Sequence, residues 1–143
     1  MKGLRVLDLG CGFGWFARWA RQQGAASVLA IDVSANMLKR AAEMTNDSAI
    51  TYASGDMETL DVPAASFDLV YSSLAFHYIA NLKHTFAVIH RALMPNAPFV
   101  FSVEHPLYTA PSAPGFVTTA DGRRVWPLDQ PAFRSTEPAP PPA

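Results

Sequence analysis

The protein has 143 residues, half of them hydrophobic, with 11 Lys and Arg against 12 Asp and Glu for a formal charge of −1. That length suits one ordinary domain with a sizeable core rather than two, and the absence of any block of like charge excludes the broad basic face of a nucleic-acid binder. No apolar run approaches the roughly 20 residues that span a bilayer, and Cys11, the single cysteine, makes no internal disulfide, which predicts a cytoplasmic location.

Leu4 to Leu9 is a short apolar run ended by glycine, the pattern of a buried strand. The run Gly10-Cys11-Gly12-Phe13-Gly14 then places glycine at every second position. Glycine lets the chain turn tightly and lets a ligand approach the main chain with no Cβ between them. Phe13 to Gln23 has helical spacing, with Trp15 and Trp19, and Phe16 and Ala20, four apart, and Gly24 supplies a stop. A helix starting there turns its free N–H groups and positive dipole end toward the loop, which is how an α/β protein holds a nucleotide-like ligand at the carboxyl end of its first strand.

Ser27 to Ile31 is predicted as the second strand, closed by Asp32. Ser34 is placed to cap a helix reaching about Thr45, with Met37, Leu38, Ala41 and Ala42 on one side. Ala49 to Ala53 is a third strand ending in Gly55-Asp56, and a loop with Pro63 leads to a fourth, Phe67 to Ser72. Asn81 caps a last helix whose stripe is Leu82, Phe86, Ile89 and Leu93, Pro95-Asn96 breaks it, and Pro98 to Val103 is the fifth strand. Strands alternating with helices predict an α/β fold: a Rossmann-like doubly wound sheet of five mainly parallel strands in the order 3-2-1-4-5. Its switch point lies between strands 1 and 4, where such sheets bind ligands. Residues 1–105 are expected to form this core and residues 106–130 an irregular proline-containing extension. Residues 131–143 are expected to be a disordered tail, because prolines crowd the sequence after Glu104.

Five ordered segments now carry a resemblance. Val6-Leu7-Asp8-Leu9-Gly10-Cys11-Gly12-Phe13-Gly14 resembles the glycine loop of class I S-adenosylmethionine-dependent methyltransferases, of the small-molecule type related to ubiquinone and menaquinone biosynthesis enzymes. Ile31-Asp32-Val33-Ser34 with Met37-Leu38 resembles the acidic end of that family's second strand and the helix behind it. Gly55-Asp56-Met57-Glu58-Thr59-Leu60 resembles its adenine-contacting segment, Ser66-Phe67-Asp68-Leu69-Val70 the start of its fourth strand, and His90-Arg91-Ala92-Leu93-Met94-Pro95 the helix end before its fifth. The resemblance covers roughly residues 4 to 104. Relative to the family pattern the sequence is short at both ends: it opens on the first strand and lacks the family's strands 6 and 7. Cofactor binding is therefore expected to transfer better than catalysis or substrate choice.

The resemblance implies S-adenosyl-L-methionine as cofactor and a small-molecule methyl acceptor as partner, with neither nucleic acid nor membrane involved. Asp8 and the loop Gly10, Cys11, Gly12 and Gly14 are expected to hold the methionine end, with the Asp8 carboxylate attracting its ammonium and loop N–H groups its carboxylate. Asp32 is placed to accept both ribose hydroxyls. Asp56 is placed to accept from the adenine amino group, and the Met57 N–H to donate to a ring nitrogen. Met37 is expected on one adenine face, and the main chain at Ser72 near the ammonium. Each has a blander counterpart: a structural tight turn for the loop, a turn aspartate for Asp32 and Asp56, and core packing for Met37.

His77, just past the fourth strand, is the candidate catalytic base. The four histidines show no metal-ligand spacing, so no metal is expected. One alternative is a domain that binds the cofactor without activity. A nicotinamide-dinucleotide enzyme is a weaker one, since Trp15 stands where a Gly-x-Gly-x-x-Gly loop needs its third glycine. An open, apolar fifth strand also predicts a homodimer through that edge.

Overall fold

A computed structural model of the protein describes residues 1–127 apart from 110 and 114. The chain divides into two compact units, Met1–Val103 and a second beginning at Glu104.

The first unit is built on five strands, β1 Arg5–Leu9, β2 Ser27–Asp32, β3 Ile50–Ser54, β4 Leu69–Ser73 and β5 Phe99–Ser102. They pair in the order β3-β2-β1-β4-β5, every pairing parallel, which is the predicted topology. The connecting helices are α1 Trp15–Gln22, α2 Ala35–Glu43 and α3 Leu82–Ala92. Both predicted caps form: the Ser34 hydroxyl accepts from the Met37 N–H at 3.4 Å, and the Asn81 side chain from the His84 N–H at 3.1 Å.

Side chains alternate across the sheet and create two cores. On one face Val6, Val28, Ala30 and Leu69 pack against Phe16, Ala17 and Ala20 of α1. On the other, Leu7, Leu9, Ile31 and Val70 pack against Val88, Ile89 and Ala92 of α3 and against Leu60, Val62 and Phe67 of the segment between β3 and β4. Strands buried on both faces read as short apolar runs, as the centres of β1, β2 and β4 do.

Several local expectations need correction. α1 begins at Trp15 rather than Phe13, because Gly14 adopts a left-handed conformation (φ 75°) that no helix continues through. Trp15 and Trp19 stack on each other at 6.3 Å on the exposed side of α1, and the buried stripe is Phe16, Ala17 and Ala20. On α2 only Ala41 is fully buried, and Met37 and Ala42 face solvent. β4 starts at Leu69, and Phe67 makes only an isolated bridge to Leu93.

The second unit, expected to be irregular, carries a single helical turn, α4 Pro106–Thr109, and an antiparallel pair, β6 Val117–Thr118 with β7 Arg124–Val125. Trp126 sets its ring edge against Tyr108 and Phe116, at 5.5 and 5.3 Å, and its indole N–H donates to the Leu107 carbonyl. The expectation for residues 131–143 lies outside the described residues. Among the described residues no helix is long and apolar enough to cross a membrane.

Candidate cofactor site

The carboxyl ends of β1, β2, β3 and β4 bring together residues that are far apart in sequence. Gly10, Gly12 and Gly14 all have positive φ, at 69°, 52° and 75°. The loop is therefore a run of left-handed turns open to few other residue types. A Cβ on Gly10 would lie 2.5 Å from the Cβ of Ala75, and one on Gly14 would run into the Tyr52 ring. A Cβ on Gly12 would meet nothing within 4 Å. Gly10 and Gly14 thus close the loop against β3 and the turn after β4, while Gly12 faces open space.

One expectation about this loop is not met. Its N–H groups do not form a free cradle: Gly10 and Cys11 donate to the Ile31 carbonyl at 2.8 and 3.0 Å, Gly12 donates to Asp32 Oδ2 at 2.8 Å, and Gly14 donates to the Cys11 carbonyl at 2.9 Å. A tight turn with successive N–H groups on one side satisfies them on the nearest strand end. The donors left for a ligand carboxylate are the Phe13 N–H and those of the first turn of α1, beginning at Trp15.

Asp8 is 2% exposed, and its Oδ2 has no hydrogen-bond partner among the described residues. Burial, and then the nearby Asp32 carboxylate, push its carboxyl up to about 7, and the Ala17 N–H of α1 offsets only part of this. Asp32, at the tip of β2, uses one oxygen for Gly12 and the other for the Ser34 N–H at 2.8 Å. Each oxygen keeps a second lone pair, so the group ties the loop down and still has acceptor capacity for a diol. Cys11 is half-buried, and burial with two nearby carboxylates pushes its thiol up to about 12, so it stays a neutral thiol.

Asp56 follows β3 and caps a local turn through the Glu58 N–H at 2.8 Å. Beside it is a cavity of about 310 Å³ whose lining includes apolar Ile31, Ala53 and Leu60 and the carboxylates of Asp56 and Asp61. Met57 packs on the core beneath the glycine loop, and Met37 stands exposed on α2. The Ser72 hydroxyl is fully buried and donates to the Leu9 carbonyl at 2.7 Å, so its side chain binds β4 to β1 and only its main chain is left for a ligand. His77 sits on a 3₁₀ turn, Phe76–Tyr78, directly after β4, with its ring 4.2 Å from that of Tyr78 and Nε2 shielded from solvent.

The sequence does not single out Tyr52, Ala75 or the bend at Leu74. Tyr52 reaches across from β3 to roof Gly14 and shares a 2.9 Å hydrogen bond with Thr45. Ala75 is the small residue that lets Gly10 pack. Leu74 has φ 53°, a left-handed conformation costly for a branched side chain, and that kink brings Ala75 under the loop. Strict alternation along β3 could have placed Tyr52 on the α1 face; nothing local signals the Leu74 kink.

A family model described as a methyltransferase domain matches residues 7–101. The chain belongs to the methyltransferase family. An S-adenosylmethionine-dependent methyltransferase from Mesorhizobium loti, solved by crystallography, is 52% identical with a TM-score of 0.81, the match covering 90% of this chain and 59% of that one. A putative S-adenosylmethionine-dependent methyltransferase from Listeria monocytogenes is 37% identical with a TM-score of 0.82, covering 90% and 61%. The malonyl-[acyl-carrier protein] O-methyltransferase of Erwinia pyrifoliae is 41% identical over 102 residues, 71% of this chain and 37% of that protein. The methyltransferase domain described here thus spans less than two thirds of the length of these relatives.

Do its residues suit the family's cofactor? The buried Asp8 oxygen without a partner is an acceptor waiting for a cationic donor, the open side of Gly12 admits a ligand, and the Asp32 carboxylate suits a diol. The donor set fits a molecule with an ammonium at one end and an adenosine at the other.

Proposed function

We propose that this methyltransferase domain binds S-adenosyl-L-methionine at the carboxyl ends of β1 to β4 and transfers its methyl group to a small-molecule acceptor. The observation that carries the reading is Asp8, a buried carboxylate with an unsatisfied oxygen beneath a loop of left-handed glycines. When bound, the cofactor supplies an electrophilic methyl group on a sulfonium sulfur. Asp8 would hold its ammonium, the first turn of α1 its carboxylate, Asp32 its ribose hydroxyls, and Asp56 with the Met57 N–H its adenine edge. Met37 would cover one adenine face, and the main chain at Ser72 would line the methionine end. Gly10, Cys11, Gly12 and Gly14 contribute shape rather than hydrogen bonds. The protein's main task is alignment of the acceptor and exclusion of water. His77 takes the proton from the acceptor's nucleophilic atom. Cytoplasmic residence belongs to the same reading and rests on the single cysteine.

Calorimetric titration with S-adenosylmethionine, S-adenosylhomocysteine and NAD tests the ligand: the first two are expected to bind and NAD is not. Asp32→Ala should weaken S-adenosylhomocysteine binding by about 1–3 kcal/mol, the cost of leaving polar partners unpaired. Unchanged affinity rejects the ribose role. For turnover, malonyl-[acyl-carrier protein] heads the acceptor panel, because relatives at 41% identity and below carry that name. His77→Ala should lower methyl transfer by about 10²–10⁴-fold while leaving S-adenosylhomocysteine affinity intact. Full activity would leave alignment as the whole mechanism.

A further inference from the structure

Asp8 lies in the interior of a parallel sheet, where an ionised group without a partner is costly. Its register neighbours are Ala30 on β2 and Tyr71 on β4, and Tyr52 on β3 follows Ala30 in the same row. Phe16 and Ala17 of α1 lie in the core packed on this face, with Phe16 stacked on Tyr71. The titratable groups around it are Asp32 from β2, Cys11 from the loop, Tyr71 from β4 and Tyr52 from β3; none brings positive charge. Arg18 of α1 turns its guanidinium away, onto the Phe13 carbonyl at 2.7 Å and over the Phe13 ring. Among the described residues no ion pair reaches Asp8. Its surroundings offer one backbone N–H in favour of the charge, and burial and a second carboxylate against it.

We propose that Asp8 carries a proton in the free domain and releases it when the cofactor's ammonium arrives, so that cofactor binding is coupled to proton release. The inference rests on the cofactor reading of the same site. The carboxyl O–H bond breaks, the proton leaves to solvent, and the carboxylate formed pairs with the ammonium. Nearby positive charge is what a buried carboxyl needs to ionise. The consequence is an affinity that rises with pH through neutrality, because at low pH the ammonium must first displace the proton.

The test uses the full chain and S-adenosylhomocysteine, which carries the same ammonium and no transferable methyl group. Titration calorimetry at pH 6, 7 and 8, each in two buffers of different ionisation enthalpy, reads affinity and proton count together. Affinity should fall roughly tenfold from pH 8 to pH 6, with close to one proton released per ligand at pH 6 and few at pH 8. Asp8→Asn, similar in shape and unable to ionise, should bind with an affinity flat in pH and release no proton. Should that variant fail to fold, the wild-type proton count decides alone. Wild-type binding that releases no proton and is flat in pH overturns the proposal. So does a pH dependence that survives in Asp8→Asn, which would belong to another group. Absence of S-adenosylhomocysteine binding at every pH instead overturns the cofactor reading, and the coupling falls with it.

Discussion

Gly10→Ala is expected to destabilise the domain by about 2–5 kcal/mol, whereas Gly12→Ala should leave it folded and cut cofactor affinity. The two glycines sit two residues apart in the same loop, both with positive φ, at 69° and 52°. A side chain at either bears the left-handed penalty of about 1–2 kcal/mol. They differ in what the new methyl group meets. At Gly10 it lies 2.5 Å from the Cβ of Ala75. Ala75 is buried and its Cβ has no rotamer to escape into, so the loop or the turn after β4 must move, an overpacking cost of about 1–3 kcal/mol. At Gly12 nothing lies within 4 Å, and the methyl group enters the open side proposed for the cofactor. Urea denaturation should separate the two variants by stability. Calorimetry should show Gly12→Ala losing tenfold or more in S-adenosylhomocysteine affinity, about 1.4 kcal/mol. Two variants of equal stability would disprove the packing account, and wild-type affinity in Gly12→Ala would move the ligand elsewhere.

The second large effect is on the stability of the unliganded domain. In the folded chain the Asp8 carboxyl is held up at about 7, against an ordinary value of 3.8 when unfolded. Between these values the folded state keeps a proton that the unfolded state has lost. Stability therefore falls as pH rises from about 4 to 7 and levels off above, the total on the order of 4 kcal/mol. Asp68 works with the opposite sign and in a different window. Arg5 binds its carboxylate through two side-chain contacts at 3.0 Å and the Arg5 N–H at 2.9 Å, lowering it to about 2. Its contribution is present above the ordinary carboxylate range and disappears only as pH falls through about 2, so it does not mask the Asp8 slope. Denaturant titrations of the wild type at pH 5 and pH 8 should show the more acidic sample to be more stable, and Asp8→Asn should flatten the difference. A wild type equally stable at both would show Asp8 to be ionised or solvated in the free chain.

Particular residues show how much of this was legible beforehand. Ser34 and Asn81 announced their helices because capping acts over three residues and needs no distant partner. The order of the strands followed from alternation and crossover handedness. Asp8 and Asp32 could be nominated as ligand groups from their places at strand ends. Their electrostatic coupling could not, since it depends on how β1 and β2 bring two carboxylates together. The loop amides show the limit most clearly. In the sequence they are a row of donors, and in the fold those of Gly10, Cys11 and Gly12 are spent on Ile31 and Asp32. Stripes on helices were also overread: Met37, Trp15 and Trp19 have the right period and face solvent, because period alone does not say which side a sheet will cover.

Residues alone decided the alternation of elements, the parallel 3-2-1-4-5 sheet and the family, since all three rest on local periodicity, short-range caps and ordered motifs. Only the folded chain decided that Ala75 and Tyr52 close the glycine loop, that Leu74 bends to permit it, and that Asp8 is left buried with an unsatisfied oxygen. Those facts come from contacts between segments far apart in the chain, 38 residues for Gly14 and Tyr52 and 65 for Gly10 and Ala75, and both the exclusion of water and the cost of a charge there are properties of the packed interior rather than of any stretch of chain.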